Sequence, residues 1–134
     1  MGDHKPPVEQ RRSVVYVVDG DATVREAIRR LLRPLDVVVR EFSSGGSFLE
    51  SFEPDRAACL ITELHLPDMT GLQLQRSLTS KNTCPPTIVI ASHGDVSGAV
   101  EAMKAGAVEF VEKPFISRVL VDRVRESVAR VHRN

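Results

Sequence analysis

Short apolar runs alternate with amphipathic stretches along the chain, beginning with the run SVVYVVD at Ser13–Asp19. This β-branched run is too short for a helix and too apolar for an edge strand, so it predicts a buried strand. Asp21 then offers a helix N-cap, and Pro34 marks where that helix stops. Between them, one helical face carries the apolar residues Val24, Ile28, Leu31, Leu32 and Leu35.

The same alternation repeats to the end of the chain. Further strands are predicted at 36–42 (DVVVREF), 57–62 (AACLIT), 85–92 (PPTIVIAS) and 107–112 (AVEFVE). Helices are predicted at 44–52, 70–80, 95–106 and 117–131. The pattern therefore predicts five strands that alternate with five helices.

Residues at the ends of these helices support the assignment. Thr70 and Gln73 have the spacing of a capping box, Asp95 is placed as an N-cap, and Gly106 is placed as a helix stop. In the last helix, one face is predicted to carry Val121, Val124, Val128 and Val131.

Strict alternation of strands and helices favours a parallel sheet with right-handed crossovers and helices on both faces. The usual five-stranded solution is a flavodoxin-like (βα)5 α/β fold with strand order 2-1-3-4-5. In such sheets, sites form beyond the carboxyl ends of the strands, where the strand order reverses. The first and third strands end at Asp19 and Glu63, so both side chains are predicted to face one functional edge.

Composition narrows the class of protein. The 134 residues are 42% hydrophobic, which suits one compact domain at 13–134, preceded by a polar leader, 1–12, that we expect to be disordered. Lys plus Arg equals Asp plus Glu at 18 each, so there is no basic footprint for nucleic acid or anionic lipid. No apolar run approaches the roughly 18 residues of a membrane span. Cys59 and Cys84 lack CxxC spacing and suit buried thiols, so we expect a cytoplasmic protein.

Three motifs, in order, carry a family resemblance. VVYVVDGDATVREAIRRLL, LPDMTG and SHGDVSGAVEAMKAGAVEFVEKPF, together with the five-fold alternation, resemble a response-regulator receiver domain, CheY-like and of the FixJ type. The resemblance implies a bacterial two-component or phosphorelay module. In that family a histidine kinase donates a phosphoryl group to an aspartate with the aid of magnesium, and a partner reads the resulting change of shape.

The chain departs from the family at the residues that would bind magnesium and accept the phosphoryl group. The resemblance places the family's acidic pair on Asp19 and Gly20, and glycine supplies no ligand. It places the acceptor aspartate on Glu63, whose extra methylene moves the carboxylate outward by roughly 1.5 Å. Magnesium binding is expected to be weak or lost, with Asp19, Glu63 and the backbone carbonyl of His65 as the remaining candidate ligands.

The switch positions are also changed. The family's Thr or Ser falls on Ala91, with Ser92 next to it, and the switch aromatic position falls on Phe110, which has no hydroxyl. Lys113 and Pro114 fit the family fully, and the resemblance implies a cis bond between them. With Lys113 and two acids, the pocket has a formal charge of about −1 rather than −2.

These departures predict an atypical receiver, or pseudo-receiver, that is not an enzyme and has no catalytic residue. Glu63 has two interpretations: a built-in stand-in for the phosphorylated aspartate that reaches Lys113, or a solvated carboxylate in a salt bridge without signalling consequence. His65 and His93 are interpreted as loop residues rather than metal ligands.

Partners are expected to be proteins: a histidine kinase, an output domain or another regulator. The family makes dimers or binds partners through helix 4, strand 5 and helix 5. In this chain, the polar face of the last helix is predicted to lie beside charged residues of helix 4 and strand 5, and the residues concerned are Arg118, Asp122, Arg123 and Arg125 with Glu101, Lys104 and Glu109. An ordinary solvated face is the alternative. FixJ-type receivers usually carry a DNA-binding output domain, and both a stand-alone receiver and part of a longer regulator stay open.

Two other functions stay open. One is a phosphotransfer receiver that uses an unusual acceptor, with Glu63, Asp68 or Ser92 as candidates. The other is a flavodoxin-like nucleotide or flavin binder, although DGDATV after the first strand is not a glycine-rich phosphate loop.

Overall fold

The computed structural model of the chain describes residues 12–92, 94–114 and 117–132. The leader predicted for residues 1–12 lies, except for Arg12, outside them. Five strands form one parallel sheet in the order β2-β1-β3-β4-β5, as predicted. The strands are β1 (Ser13–Val18), β2 (Val37–Phe42), β3 (Ala57–Glu63), β4 (Thr87–Ser92) and β5 (Glu109–Lys113).

Five helices of the described chain cover both faces of this sheet. They are α1 (Ala22–Leu32), α2 (Gly45–Ser51), α3 (Gly71–Ser80), α4 (Val96–Lys104) and α5 (Ser117–His132). A short 3-10 turn at Pro54–Arg56, which the sequence pattern did not predict, leads into β3. Among the described residues, no helix has the length and apolar character that crossing a membrane requires.

The helix ends are fixed by the residues that the sequence predicts. The Asp21 side chain accepts a hydrogen bond from the Thr23 N–H and so caps α1. Thr70 and Gln73 form both hydrogen bonds of a capping box at the start of α3. Asp95 caps α4 by accepting from the Gly98 N–H at 3.0 Å. These bonds satisfy N–H groups that a helix leaves without internal partners.

Alternate residues of the fully buried strand β1 divide the core between the two faces of the sheet. Val15 and Val17 pack in the cluster that contains Ile28 and Leu32 of α1 and Leu120 and Val124 of α5. Val14, Tyr16 and Val18 pack with Phe48 of α2 and with Leu74 and Leu78 of α3. The sheet is therefore sandwiched between α1 and α5 on one side and α2, α3 and α4 on the other.

The predicted apolar face of the last helix is partly wrong. Leu120 and Val124 are fully buried and Val128 packs beside them, whereas Val121 is only partly buried and lies outside the core clusters. A helix turns by about 100° per residue, so Val121 lies at the edge of the stripe that Leu120 and Val124 share. The side chain of Val131 lies outside the described residues.

The two thiols differ in exposure, and the difference gives a test of the core. Cys59 is fully buried beneath α5, and burial raises the pKa of its thiol to about 12 despite a hydrogen bond with Ser127. Cys84 is only half-buried.

At about pH 8 the thiolate fraction of Cys59 is on the order of one in ten thousand. We therefore expect a maleimide to label Cys84 alone in the native protein and both thiols in urea, as read by intact mass. The Cys84→Ser variant is the control, and its rapid labelling under native conditions would contradict this burial.

Candidate functional site

The carboxyl ends of β1, β3 and β5 bring three charged side chains together. Asp19 follows β1, Glu63 ends β3 and Lys113 ends β5. Asp19 is 3% exposed and Glu63 is 8% exposed, while Lys113 is half-buried. The predicted meeting of Asp19 and Glu63 at one edge is confirmed, because parallel strands deliver their final residues to the same edge of the sheet.

One ammonium group serves both carboxylates. Lys113 Nζ lies 2.5 Å from Glu63 Oε2 and 3.3 Å from Asp19 Oδ2. Two buried acids paired with one base leave the site with one formal negative charge, as the sequence predicts. Since an uncompensated buried charge is costly, this pairing lets the second acid stay inside the site.

Burial and charge act together on the protonation of this group of residues. Burial raises the pKa of Glu63, and the nearby Asp19 charge adds to the rise, while the hydrogen bond with Lys113 opposes it. Burial alone would lower the pKa of Lys113, but the hydrogen bond to Glu63 and the charges of both acids raise it. Lys113 is thus held firmly in its charged form.

Asp19 is also held in place by hydrogen bonds that do not involve Lys113. Its Oδ1 accepts from the Asp21 N–H at 2.8 Å, which leaves Oδ2 to face Lys113. Its carbonyl oxygen accepts from Arg25 Nη1 at 2.6 Å, and its N–H donates to the Phe42 carbonyl at 3.0 Å. The role of Arg25 is not predictable from the sequence, because nothing in a helix pattern shows which arginine bends toward a strand end.

The backbone leaves space at the position of the missing acid. A Cβ built on Gly20 would lie 3.4 Å from Pro67 Cγ and 3.5 Å from Pro67 Cδ, which is close to ordinary van der Waals contact. The chain path therefore leaves room for a Cβ at this position, and the missing ligand is a matter of residue identity. Both acids that are present already face Lys113, so the donor set does not match the clustered oxygens that a hard cation needs. Within the described ranges, no group of three or more His, Cys, Asp and Glu residues is arranged to hold a metal.

The predicted switch residues lie beside this site. Ala91 is fully buried in a small cluster with Leu64, against which Phe110 packs. Its methyl group offers no hydrogen bond. Ser92 is exposed and lies in register with Lys113 on the neighbouring strand. The bond between Lys113 and Pro114 is cis, as the family resemblance implies.

Two residues of the loop after β3 have partners that the sequence did not reveal. His65 is largely exposed, as expected for a loop residue, yet its Nε2 lies 3.1 Å from Asp95 Oδ2 at the start of α4. The Asp68 carboxylate accepts from the N–H groups of Gly45 and Gly46 at 3.0 and 2.8 Å. Both bonds lower the pKa of Asp68, the one from Gly46 by more, and they hold its carboxylate to the start of α2. His93 lies outside the described residues.

The charged residues predicted for an interaction face pair with different elements. Arg123 Nε donates to Glu109 Oε1 at 2.7 Å and so joins α5 to β5, while Asp122 pairs within α5. Glu101 instead lies 3.9 Å from Arg76 of α3, and Lys104 lines the same groove between the two helices. Among the described residues, no hydrogen bond or ion pair joins Glu101 or Lys104 to α5, so their place in one interaction face stays a prediction. Arg118 is exposed.

The outward face of α4 carries exposed apolar residues that the sequence pattern did not predict. Val96, Val100 and Met103, here called the α4 stripe, are 72%, 47% and 48% exposed, and Val108 before β5 is also exposed. Their spacing of four and three residues is visible in the sequence, but that spacing is typical of a buried face. In the structure, small residues such as Ala102 face the sheet instead.

Known proteins resemble this chain over most of its length. The family model of the response regulator receiver domain matches residues 15–125. The response regulator protein TodT of Pseudomonas putida is 39% identical over 121 residues, which are 90% of this chain and 53% of TodT. The transcriptional regulatory protein FixJ of Rhizobium meliloti is 42% identical over 114 residues, which are 84% of this chain and 55% of FixJ. The chain thus spans about half the length of the curated relatives it matches.

Solved structures agree with the match. A response regulator receiver protein from Pseudoalteromonas atlantica has a TM-score of 0.81 at 41% identity, covering 87% of this chain and 97% of that one. FixJ-N has a TM-score of 0.78 at 39% identity, covering 89% and 95%. From its strand order, its pocket at the strand ends and these matches, the chain belongs to the response regulator receiver family of two-component systems.

Proposed function

We propose that this receiver works without phosphorylation, as a protein-interaction module of a two-component pathway. The observation that carries the proposal is the 2.5 Å contact between Lys113 Nζ and Glu63 Oε2. In the family, a lysine at this position counters the charge of the phosphoryl oxygens. Here the residue at the acceptor position itself supplies the negative charge that faces Lys113.

The geometry of phosphoryl transfer supports the same conclusion. The carboxylate of Glu63 lies roughly 1.5 Å further from the backbone than that of an aspartate. A misplacement of about 1 Å can cost on the order of a hundredfold in such a reaction. Gly20 removes an acidic ligand and Ala91 removes a hydroxyl. Three departures at one pocket each act against transfer, and they are chemically independent.

Magnesium binding is proposed to be weak or lost. Magnesium keeps several waters and depends on a few carboxylates, and in this pocket both carboxylates are engaged with Lys113. A cation would have to displace that ammonium group or share its partners. No step of the proposed function uses a metal.

Glu63 is proposed to hold the domain in the arrangement that phosphorylation would otherwise produce. Its side chain is buried and contacts Lys113, which does not match the alternative interpretation of a solvated carboxylate. Buried ion pairs have a fixed geometry and are lost at a cost when one partner is removed. Glu63 can therefore bias the fold permanently, with no regulated group to add or remove.

The proposed interaction surface is the α4 stripe with Val108 and the neighbouring strand β5 and helix α5. Exposed apolar side chains in one patch are typical of a protein interface. A second copy of the chain is the proposed occupant, and a kinase, output domain or other regulator is the alternative partner for the same surface.

FixJ is a transcriptional regulatory protein. By analogy we propose that this chain controls such an output through protein contact, since its net charge is zero.

Phosphorylation is tested directly with a small-molecule donor. We expect no added phosphoryl group when the wild-type chain is incubated with phosphoramidate and magnesium, because the acceptor is displaced and a ligand is missing. Intact mass spectrometry is the measurement. The Gly20→Asp/Glu63→Asp double variant is the positive control, since a Cβ at residue 20 would be close to ordinary van der Waals contact. Stable phosphorylation of most wild-type molecules would overturn the proposal, and peptide mapping would show whether Glu63, Asp68 or Ser92 is the acceptor.

The stand-in role of Glu63 is tested by removing its charge. We expect the Glu63→Gln variant to associate about fivefold or more weakly, because the amide no longer draws Lys113 into an ion pair. Analytical ultracentrifugation across a concentration series measures this. Glu50→Gln, which removes one exposed charge on α2, is the matched control. If Glu63→Gln associates as strongly as the wild type, the salt bridge has no signalling consequence and the stand-in role is wrong.

The α4 stripe is tested by placing a charge in it. We expect Val100→Glu to raise the dissociation constant of the homodimer at least about tenfold, since an unpaired charge would be buried at the contact. Ser80→Glu adds the same charge at an exposed position of α3 and should have no effect. Equal association of Val100→Glu and wild type would exclude the stripe as the dimer surface.

A further inference from the structure

The first turn of α4 rests on the two residues that follow Glu63. A Cβ on Gly98 would overlap Leu64 Cδ2, so Leu64 packs directly against the glycine backbone of α4. His65 Nε2 lies 3.1 Å from Asp95 Oδ2, while Asp95 Oδ1 accepts from the Gly98 N–H at 3.0 Å. Leu64 therefore packs against the first turn of α4, and His65 makes a polar contact with the residue that caps the same turn.

The rest of α4 is held weakly. Of its residues Val96–Lys104, all of which the structure describes, only Ala102 is buried. Gly98 and the β-branched Val96 and Val100 have low helix propensity. A helix with little buried surface and weak intrinsic stability takes its position from the few contacts that it does make. Leu64 and His65 supply two of these contacts at its first turn.

The segment that carries these two residues follows β3 directly and is bonded to β4 and to the start of α3. The Leu64 N–H donates to the Ile90 carbonyl at 2.8 Å, and the Leu64 carbonyl accepts from the Gly71 N–H at 2.7 Å. A Cβ on Gly71 would lie 2.6 Å from the Glu63 carbonyl oxygen, so α3 also lies close against this segment. Both backbone groups of Leu64 are therefore bonded, which fixes the place of its side chain against Gly98.

We propose that Leu64 and His65 are positioning residues that couple the carboxylate pocket to the α4 stripe. In the family a hydroxyl at the position of Ala91 reports the state of the pocket, and Ala91 offers none. Here the link runs along the chain, from Glu63 through Leu64 and His65 to Gly98 and Asp95. This inference rests on the proposed function in one respect, namely that the α4 stripe is the interaction surface.

Amide hydrogen exchange by NMR tests the coupling on the isolated chain. We expect His65→Ala to raise the exchange rates of the Gly98 and Ala99 amides about two- to fivefold, as for loss of one partly exposed polar contact. Arg76→Ala is the matched control, because Arg76 contacts Glu101 in the later part of α4. If Arg76→Ala accelerates these two amides as much as His65→Ala does, the specific link is wrong.

A double-mutant cycle separates coupling from simple loosening. We expect Glu63→Gln to change the same exchange rates in the wild-type chain and to change them at least about twofold less in a His65→Ala background. Leu64→Val, which keeps an apolar residue but withdraws the contact with Gly98, should reduce the effect of Glu63→Gln in the same way. Additive effects in both cycles would overturn the inference. The urea midpoint of every variant shows that each one is folded.

Exchange is measured below the concentration at which the chain associates, so it needs neither a partner nor a phosphoryl group. A non-additive cycle together with unchanged association of Val100→Glu would support the coupling and reject the proposed surface. Additive cycles together with weakened association of Val100→Glu would reject the coupling and retain the surface. The two ideas therefore fail separately.

Discussion

The contact of Lys113 with two buried carboxylates is the constraint on which the site depends. A parallel sheet delivers Asp19 and Glu63 to the same edge, where two negative charges out of water would repel each other. Lys113 reaches them from β5, with β4 between its strand and that of Glu63. The strand order that brings the two acids together also brings Lys113 to them, and its positive charge offsets their repulsion. Any function of this pocket has to work with an ammonium group that is already engaged.

The surroundings of the pocket are adapted to this fixed arrangement. Asp19 is anchored through its side chain and both backbone groups, and Asp68 holds the loop after β3 to the start of α2. Ala91 and Phe110 close the neighbouring space with apolar contacts rather than hydrogen bonds. The residues around the pocket are thus held in place by hydrogen bonds, ion pairs and packing.

Much of the fold followed from periodicity and from residues at helix ends. Strand lengths and the caps at Asp21, Thr70 and Asp95 are local properties, whereas the strand order and the meeting of Asp19 with Glu63 follow from general rules of topology. The rotation of each helix about its axis is not local. It places Glu101 against α3 and turns Leu120 rather than Val121 inward. The contact between His65 and Asp95 joins residues thirty positions apart through two loops, and no spacing rule reports it.

The exposed α4 stripe has a consequence for how the protein behaves in solution. Lysines and arginines balance aspartates and glutamates, so the formal net charge at pH 7 is zero. A molecule without net charge has no long-range repulsion to keep its copies apart, and colloidal stability is lowest under that condition. An apolar patch on such a surface meets other molecules without a barrier. Encounters through the proposed surface at this helix should therefore depend little on ionic strength, and more on shape and packing than on charge.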